Sequence, residues 1–246
     1  MHIVTAYSAA IFVASTLAAL FNTLLIYLYY RCPLKYIKGY KYFFLLTAVQ
    51  DLLASICIHL TAPRIAAQNS YLVYVATGPI YTEPYADYIM LIFFLMMSSS
   101  IIILTNSFAY RYVQLCLPKF SYIYDSWRWI TAMIAANLFI FLNFLFIIAG
   151  TTVPNDTFKK QVYDEDLFEL GSFTKKSFVG LSMKYSINGI TIPVLADCVV
   201  IMSLISILGV FFAISIQRKL QQASLSERTR RLQQQLFQML LLQVGP

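Results

Sequence analysis

Charge is scarce in this sequence. Of its 246 residues only 12% are Asp, Glu, Lys or Arg, whereas 59% are hydrophobic and the mean hydropathy is +0.69. A water-soluble domain of this length needs far more charge to cover its surface. The composition therefore excludes a soluble protein and indicates one that lies in a membrane.

Residues for catalysis are also few. Only two histidines occur, His2 and His59, with no cluster of carboxylates beside them, no nucleophile motif and no phosphate-binding glycine loop. We therefore expect no enzyme activity, no metal, no cofactor and no nucleic-acid partner.

Gly and Pro number eight each and no internal repeat is visible, which speaks against a transporter built from repeated halves.

Cysteine is infrequent, and its positions matter. Cys32, Cys57, Cys116 and Cys198 lie inside apolar runs or at their ends. The connecting stretches 62–83 and 153–192 contain none. We therefore expect no disulfide between these two loops.

What the sequence does contain is a series of long apolar runs. About 20 mostly apolar residues cross the hydrocarbon core of a bilayer as a helix. Five runs reach this length, over about 3–30, 42–62, 86–110, 129–151 and 190–216, and a further run, 236–246, is incomplete. We predict an all-α membrane protein that forms a single transmembrane helical domain over residues 1–246.

Basic residues predict the orientation of these spans. The connections 31–41, 111–128 and 217–235 hold 12 of the 18 Lys and Arg residues, and such loops face the cytoplasm. The N-terminus should then lie outside. The sequon Asn155-Asp156-Thr157 falls in the long outer loop, where Asn155 is a candidate for glycosylation or a chance triplet.

Polar side chains inside the spans are candidates for function, because they are costly in lipid and usually have a partner. Asn22 and Asp51 lie at a similar depth, roughly 12–15 Å inside the membrane, so a direct or water-mediated hydrogen bond is expected. They could simply join two helices, or they could form a conformational switch or an ion site. Arg111 and Tyr112 close the third span, where the arginine either snorkels to the interface or has a functional role.

A second group of residues lies near the outer helix ends. These are candidates for an outward-facing ligand pocket, although interfacial anchoring is the alternative for each of them. The group consists of His59, Tyr85, Asp87, Tyr88 and Asp197.

The last stretch begins with the capping-box spacing Ser224-Leu225-Ser226-Glu227, which predicts a new helix. Its first turns carry Arg228, Arg230 and Arg231, which could contact anionic lipid or a protein partner. Pro246 follows about ten residues into the membrane, where a chain end would be costly. We therefore expect the chain to be interrupted there, unless the segment lies along the interface.

The order of several short motifs resembles the nematode serpentine chemoreceptors of the Str, Srh and Srd superfamily, most of all the delta class, Srd. The matching pieces are Asn22-Thr23-Leu24-Leu25, Pro33-Leu34, Thr47 to Ser55, Pro63-Arg64, Gly78-Pro79, Phe108 to Tyr112, and Arg228 to Leu236 with Gln243 and Pro246. The resemblance covers essentially the whole chain. Two features depart from the delta class or from rhodopsin-like receptors: Ile80 stands where a cysteine is common, and Tyr110 precedes Arg111 in place of an acidic residue.

This resemblance implies a seven-helix receptor-type bundle, here with five complete spans plus the start of a sixth, in the plasma membrane of a sensory cilium. It implies a chemosensory receptor for a small chemical cue that signals through a heterotrimeric G protein. Arg111 would belong to the cytoplasmic switch, and Arg228, Arg230 and Arg231 to the G-protein face. The alternatives that stay open are a transporter or channel subunit and a non-signalling, truncated receptor remnant.

Overall fold

The computed structural model describes residues 2–31, 38–68, 71–164, 177–182, 191–222 and 238. It contains the long helices α1 (His2–Arg31), α2 (Lys38–Thr61), α3 (Ala86–Cys116), α5 (Trp127–Thr152) and α7 (Thr191–Gln222), the short helices α4 (Tyr122–Asp125) and α6 (Asp156–Asp164), a 3-10 turn at Pro118–Phe120, and the strands β1 (Arg64–Gln68), β2 (Tyr71–Val75) and β3 (Phe178–Ser182).

Each of the five long helices contains a stretch that is long and apolar enough to cross a membrane. The all-α membrane fold is thus confirmed, while the start of the sixth span falls outside the described residues, Gln238 apart. Helix α3 continues almost two turns beyond the predicted end at Tyr110. The charge of Arg111 ends the apolar run, but no helix breaker follows until Pro118.

The chain divides into two compact units, which we describe separately. The first unit comprises residues 1–99 and 141–199, and the second comprises residues 100–140 and 200–246. Helices α3, α5 and α7 contribute residues to both. The prediction of a single domain stays a prediction.

In the first unit, α1 packs along α2. Near one end of this pair the rings of Tyr29 and Phe44 stack with their centroids 5.8 Å apart. Near the other end the Tyr7 hydroxyl donates to the Pro63 carbonyl, at 3.1 Å. Ring stacking and hydrogen bonding thus fix this helix pair at both ends.

A small antiparallel sheet, which the sequence analysis did not predict, joins two distant loops of the first unit. Its strand order is β1-β2-β3, so β2 lies in the centre, and Val73 pairs with Gly180 across β2 and β3. One face buries Val73, Val75 and Phe178 against Phe158 of α6. The other face packs against the first turns of α3.

The sheet is tied to the end of α2 by backbone hydrogen bonds. The carbonyl of Thr61 accepts from the backbone N–H groups of both Thr77 and Gly78, each at 2.8 Å. The Thr77 hydroxyl donates to the carbonyl of Ala62 at 2.6 Å. The last carbonyls of α2, which lack partners within the helix, are satisfied in this way. Ala62 adopts a left-handed conformation, with φ 39°, where the chain leaves the helix.

In the second unit, polar contacts join α3 to its two neighbours. The Asn106 amide donates to the Asn137 side-chain oxygen on α5 at 2.7 Å. The Thr105 hydroxyl donates to the Ile205 carbonyl on α7 at 3.4 Å. A Cβ on Gly209 would lie 3.2 Å from the Thr105 hydroxyl oxygen, so α7 approaches closely there. Such contacts hold apolar helices together where lipid gives them no hydrophobic reason to associate.

Candidate functional site

Arg111 lies in the second unit, within the last two turns of α3. Its side chain is only 1% exposed and is among the largest fully buried side chains. An arginine that snorkels would keep its guanidinium in water, so snorkelling does not describe its position here. A buried guanidinium at a helix end is expensive unless it is held by polar groups, which makes a specific role more plausible than anchoring.

Aromatic rings flank Arg111 along the helix. The ring of Tyr110 meets that of Tyr124 on α4 edge to face, with centroids 4.8 Å apart. The ring of Tyr112 lies 5.2 Å from that of Phe212 and 5.9 Å from that of Phe211, both on α7. These contacts hold the short helix α4 and the C-terminal half of α7 against the segment of α3 that carries Arg111.

Tyr124 itself is partly buried. Burial, and to a smaller extent the neighbouring Tyr110, raises the pKa of the Tyr124 phenol to about 12. The phenol therefore remains neutral throughout the physiological pH range. The contact between Tyr110 and Tyr124 is an uncharged aromatic one, with the geometry that edge-to-face pairs prefer.

Asn22 and Asp51 do not form the direct hydrogen bond that their depth predicted. The Asn22 amide instead donates to the Ala18 carbonyl one turn earlier in α1, at 3.0 Å. The backbone carbonyl of Asp51, rather than its carboxylate, accepts from the Ser55 hydroxyl at 2.7 Å. An amide that can reach its own helix backbone needs no partner on the neighbouring helix.

Gln50, one residue before Asp51, is the polar contact that the sequence analysis missed. Its side chain is 6% exposed, and its amide N–H donates to the Met96 carbonyl of α3 at 2.5 Å. The Ser99 hydroxyl donates to the same carbonyl at 3.0 Å. The only available signal in the sequence was that Gln50 is a second polar residue in the same apolar run as Asp51. This signal does not show which of the two residues faces α3.

The candidate pocket residues lie in three places of the first unit. His59 of α2 contacts α1, where its Nδ1 lies 3.2 Å from the Ser15 hydroxyl and its ring meets that of Phe12 at 5.0 Å. Tyr85 directly precedes α3, and Asp87 and Tyr88 lie in its first turn, near the part of α3 that packs against the sheet. Both tyrosines are exposed.

Asp87 is the most confined of this group. One of its carboxylate oxygens is buried and has no hydrogen-bond partner among the described residues. Ser177 lies beside this carboxylate and Lys159 of α6 lies within electrostatic reach. An acidic residue in the first turn also stabilises a helix through the helix dipole, so this position has a structural role as well.

Asp197 of α7 is the third of these locations, and its carboxylate has a hydrogen-bond partner. Asn143 of α5 donates an amide N–H to the Asp197 carboxylate of α7 at 2.9 Å. Asn143 was not among the predicted residues, because its position in an apolar run does not show which helix it faces. Within the described ranges, no hydrogen bond or ring contact joins the three places into one pocket, so a single pocket stays a prediction.

The remaining predicted residues divide into two groups. Arg228, Arg230 and Arg231 lie outside the described residues. Asn155 is exposed and begins α6, where its side-chain oxygen accepts from the Phe158 backbone N–H at 2.8 Å. Among the residues that the structure describes, no group of three or more His, Cys, Asp and Glu side chains could hold a metal ion.

Comparison with known proteins gives one informative result. No curated protein matches the sequence significantly. Residues 8–245, however, match the family described as serpentine type 7TM GPCR chemoreceptor Str. Receptors of this type are integral membrane proteins that work in a lipid bilayer and are not enzymes in general, and the match does not favour a transporter. Since it spans nearly the whole sequence, the chain belongs to the Str family of serpentine chemoreceptors.

Proposed function

We propose that this protein is a G-protein-coupled chemosensory receptor for a small chemical cue, with its N-terminus outside the cell. The observation that carries the proposal is the buried Arg111 in a member of a chemoreceptor family. Two finer parts of the proposal are based on the resemblance of its motifs. These are that the receptor belongs to the delta class and that it lies in the plasma membrane of a nematode sensory cilium. The basic connections 31–41, 111–128 and 217–235 support a cytoplasmic location for the Arg111 end.

The aromatic contacts suggest how a switch would work at Arg111. In the state described here, the rings that contact Tyr110 and Tyr112 hold α4 and α7 against this end of α3. A partner protein can form a charge-assisted hydrogen bond with the guanidinium only after these contacts rearrange. Ligand binding would shift the population toward that rearranged state. Arg228, Arg230 and Arg231 would extend the same partner surface.

Nucleotide exchange on a purified heterotrimeric G protein tests this function. The full chain in lipid nanodiscs should accelerate exchange above empty nanodiscs. Arg111→Gln should reduce this acceleration by about tenfold or more, since it removes a charge-assisted hydrogen-bond donor. Arg128→Gln is the matched control, because Arg128 is an exposed arginine on the same side of the chain.

Two results would contradict the proposal. One is equal exchange with Arg111→Gln and Arg128→Gln, which would remove the switch role of Arg111. The other is no acceleration by the unmodified chain with any class of heterotrimer. The melting temperature of each variant shows whether a lost response reflects an unfolded protein.

A further inference from the structure

The pair of Asn143 and Asp197 places a formal charge on an exposed part of two membrane-spanning helices. Asp197 lies in the second turn of α7, and Asn143 lies in the second half of α5. The hydrogen bond between them is 2.9 Å long and exposed. A charged side chain within a span costs a few kcal/mol or more, and it usually marks a ligand path or a paired site.

The hydrogen-bond chemistry of this pair defines what it can bind. The Asn143 amide N–H points at one carboxylate oxygen, and turning the amide would bring two acceptor oxygens together. This orientation leaves the other carboxylate oxygen and the Asn143 carbonyl oxygen as acceptors. Two acceptors with one negative charge suit a cation that carries N–H donors.

The described part of the chain does not supply that cation. Asn143 is the partner found for Asp197 there, and no basic side chain of the described ranges forms an ion pair with it. The surroundings are apolar. Phe146, one turn from Asn143, is 70% exposed, and Pro193, one turn from Asp197, is exposed as well. An aromatic ring one helical turn from the amide that contacts the carboxylate suits an organic ammonium ion, because a ring face attracts such a cation.

We propose that the Asn143–Asp197 pair binds a small organic amine in its protonated form, with the ammonium on the carboxylate and the apolar body against Phe146. This inference rests on the proposed function and names the ligand class for that receptor. A primary or secondary amine fits better than a quaternary one, because only the former donates hydrogen bonds to both free acceptors.

The test compares two probes that share one carbon skeleton, 2-phenylethylamine and 2-phenylethanol. The readout is the melting temperature of the full chain in lipid nanodiscs, since a ligand that binds the folded state raises it. The amine should raise the melting temperature and the alcohol should not. Asp197→Asn, which keeps the shape and removes the charge, should weaken amine binding by roughly 10- to 100-fold.

Glu83→Gln is the matched control. Glu83 is another exposed acid of the same unit and belongs to none of the candidate sites, so this change should leave the amine effect intact. Asn143→Ala supplies a second variant. It keeps the charge and removes one acceptor, so it should weaken amine binding less than Asp197→Asn does.

The possible results separate the proposals. Equal shifts by the amine and the alcohol, or an amine shift that survives Asp197→Asn, would overturn the amine site. So would an absent amine effect together with a marked loss of stability in Asp197→Asn, which would indicate a counter-charge within the chain. If the amine raises the melting temperature but the chain activates no G protein, the result supports the amine site and contradicts the signalling function instead.

Discussion

Gly78 offers the sharpest test of how the sheet is attached to the helices. A Cβ built on this residue would lie 2.2 Å from the Leu60 carbonyl oxygen and 2.8 Å from the Thr61 carbonyl carbon. Both atoms belong to the backbone and cannot turn aside as the end of a flexible side chain could. In Gly78→Ala the loop must therefore move by about 1 Å to reach an ordinary van der Waals separation.

A movement of that size breaks specific hydrogen bonds. The N–H groups of Thr77 and Gly78 both donate to the Thr61 carbonyl at 2.8 Å, and the Thr77 hydroxyl donates to Ala62. Each such bond contributes about 0.5–1.5 kcal/mol, and the loss of two or three gives about 2–4 kcal/mol. For a chain of this length we expect a fall of roughly 5–15 °C in the melting temperature.

Gly150→Ala is the control for this experiment. A Cβ at Gly150, in helix α5, would meet no atom within 4 Å. Alanine is the better helix former, so this change should leave the melting temperature unchanged or raise it slightly. The melting temperatures of both variants in lipid nanodiscs, measured by circular dichroism, test this prediction. If Gly78→Ala melts within about 1 °C of the unmodified chain, the described attachment of the loop to α2 is wrong.

Two further predictions concern Tyr124 and Asn155. Because burial raises the pKa of Tyr124 above its ordinary value near 10 to about 12, the stability it contributes is present below pH 10 and lost between about pH 10 and 12. Tyr124→Phe should flatten this part of the stability curve, and an unchanged curve would refute the assignment. We also expect a glycan on Asn155, whose side-chain nitrogen is not needed to cap α6. Thr157→Ala should abolish the glycosidase-sensitive mass shift without destabilising the protein, whereas a shift that persists in this variant would refute attachment at Asn155.

The five spans were predictable because charge marks their ends. Runs of 20 or more residues with at most one Asp, Glu, Lys or Arg have few alternatives to a membrane helix. The ends were less predictable, as the extension of α3 to Cys116 shows. A charged residue ends the contact with hydrocarbon, whereas only a residue such as Pro118 ends the helix.

The sheet and the polar partners could not be predicted for a different reason. Strands of five residues carry little pattern, and β3 pairs with a strand more than 100 residues earlier in the chain. Whether Gln50 and Asn143 face a neighbouring helix depends on how their own helices are rotated. A helix with apolar residues on all sides gives no pattern from which that rotation can be predicted. The places of Asp51, Asp197 and Arg111 along their helices were predictable from the sequence, but their neighbours were not.

The connectivity of the sheet has a consequence for the biogenesis of the protein. β1 and β2 leave the ribosome together and can pair as a hairpin, but their third strand is synthesised only after α3 and α5. Until then the free edge of β2 offers unpaired backbone groups to other chains. Completion of the sheet therefore reports that four spans have been inserted in the correct order.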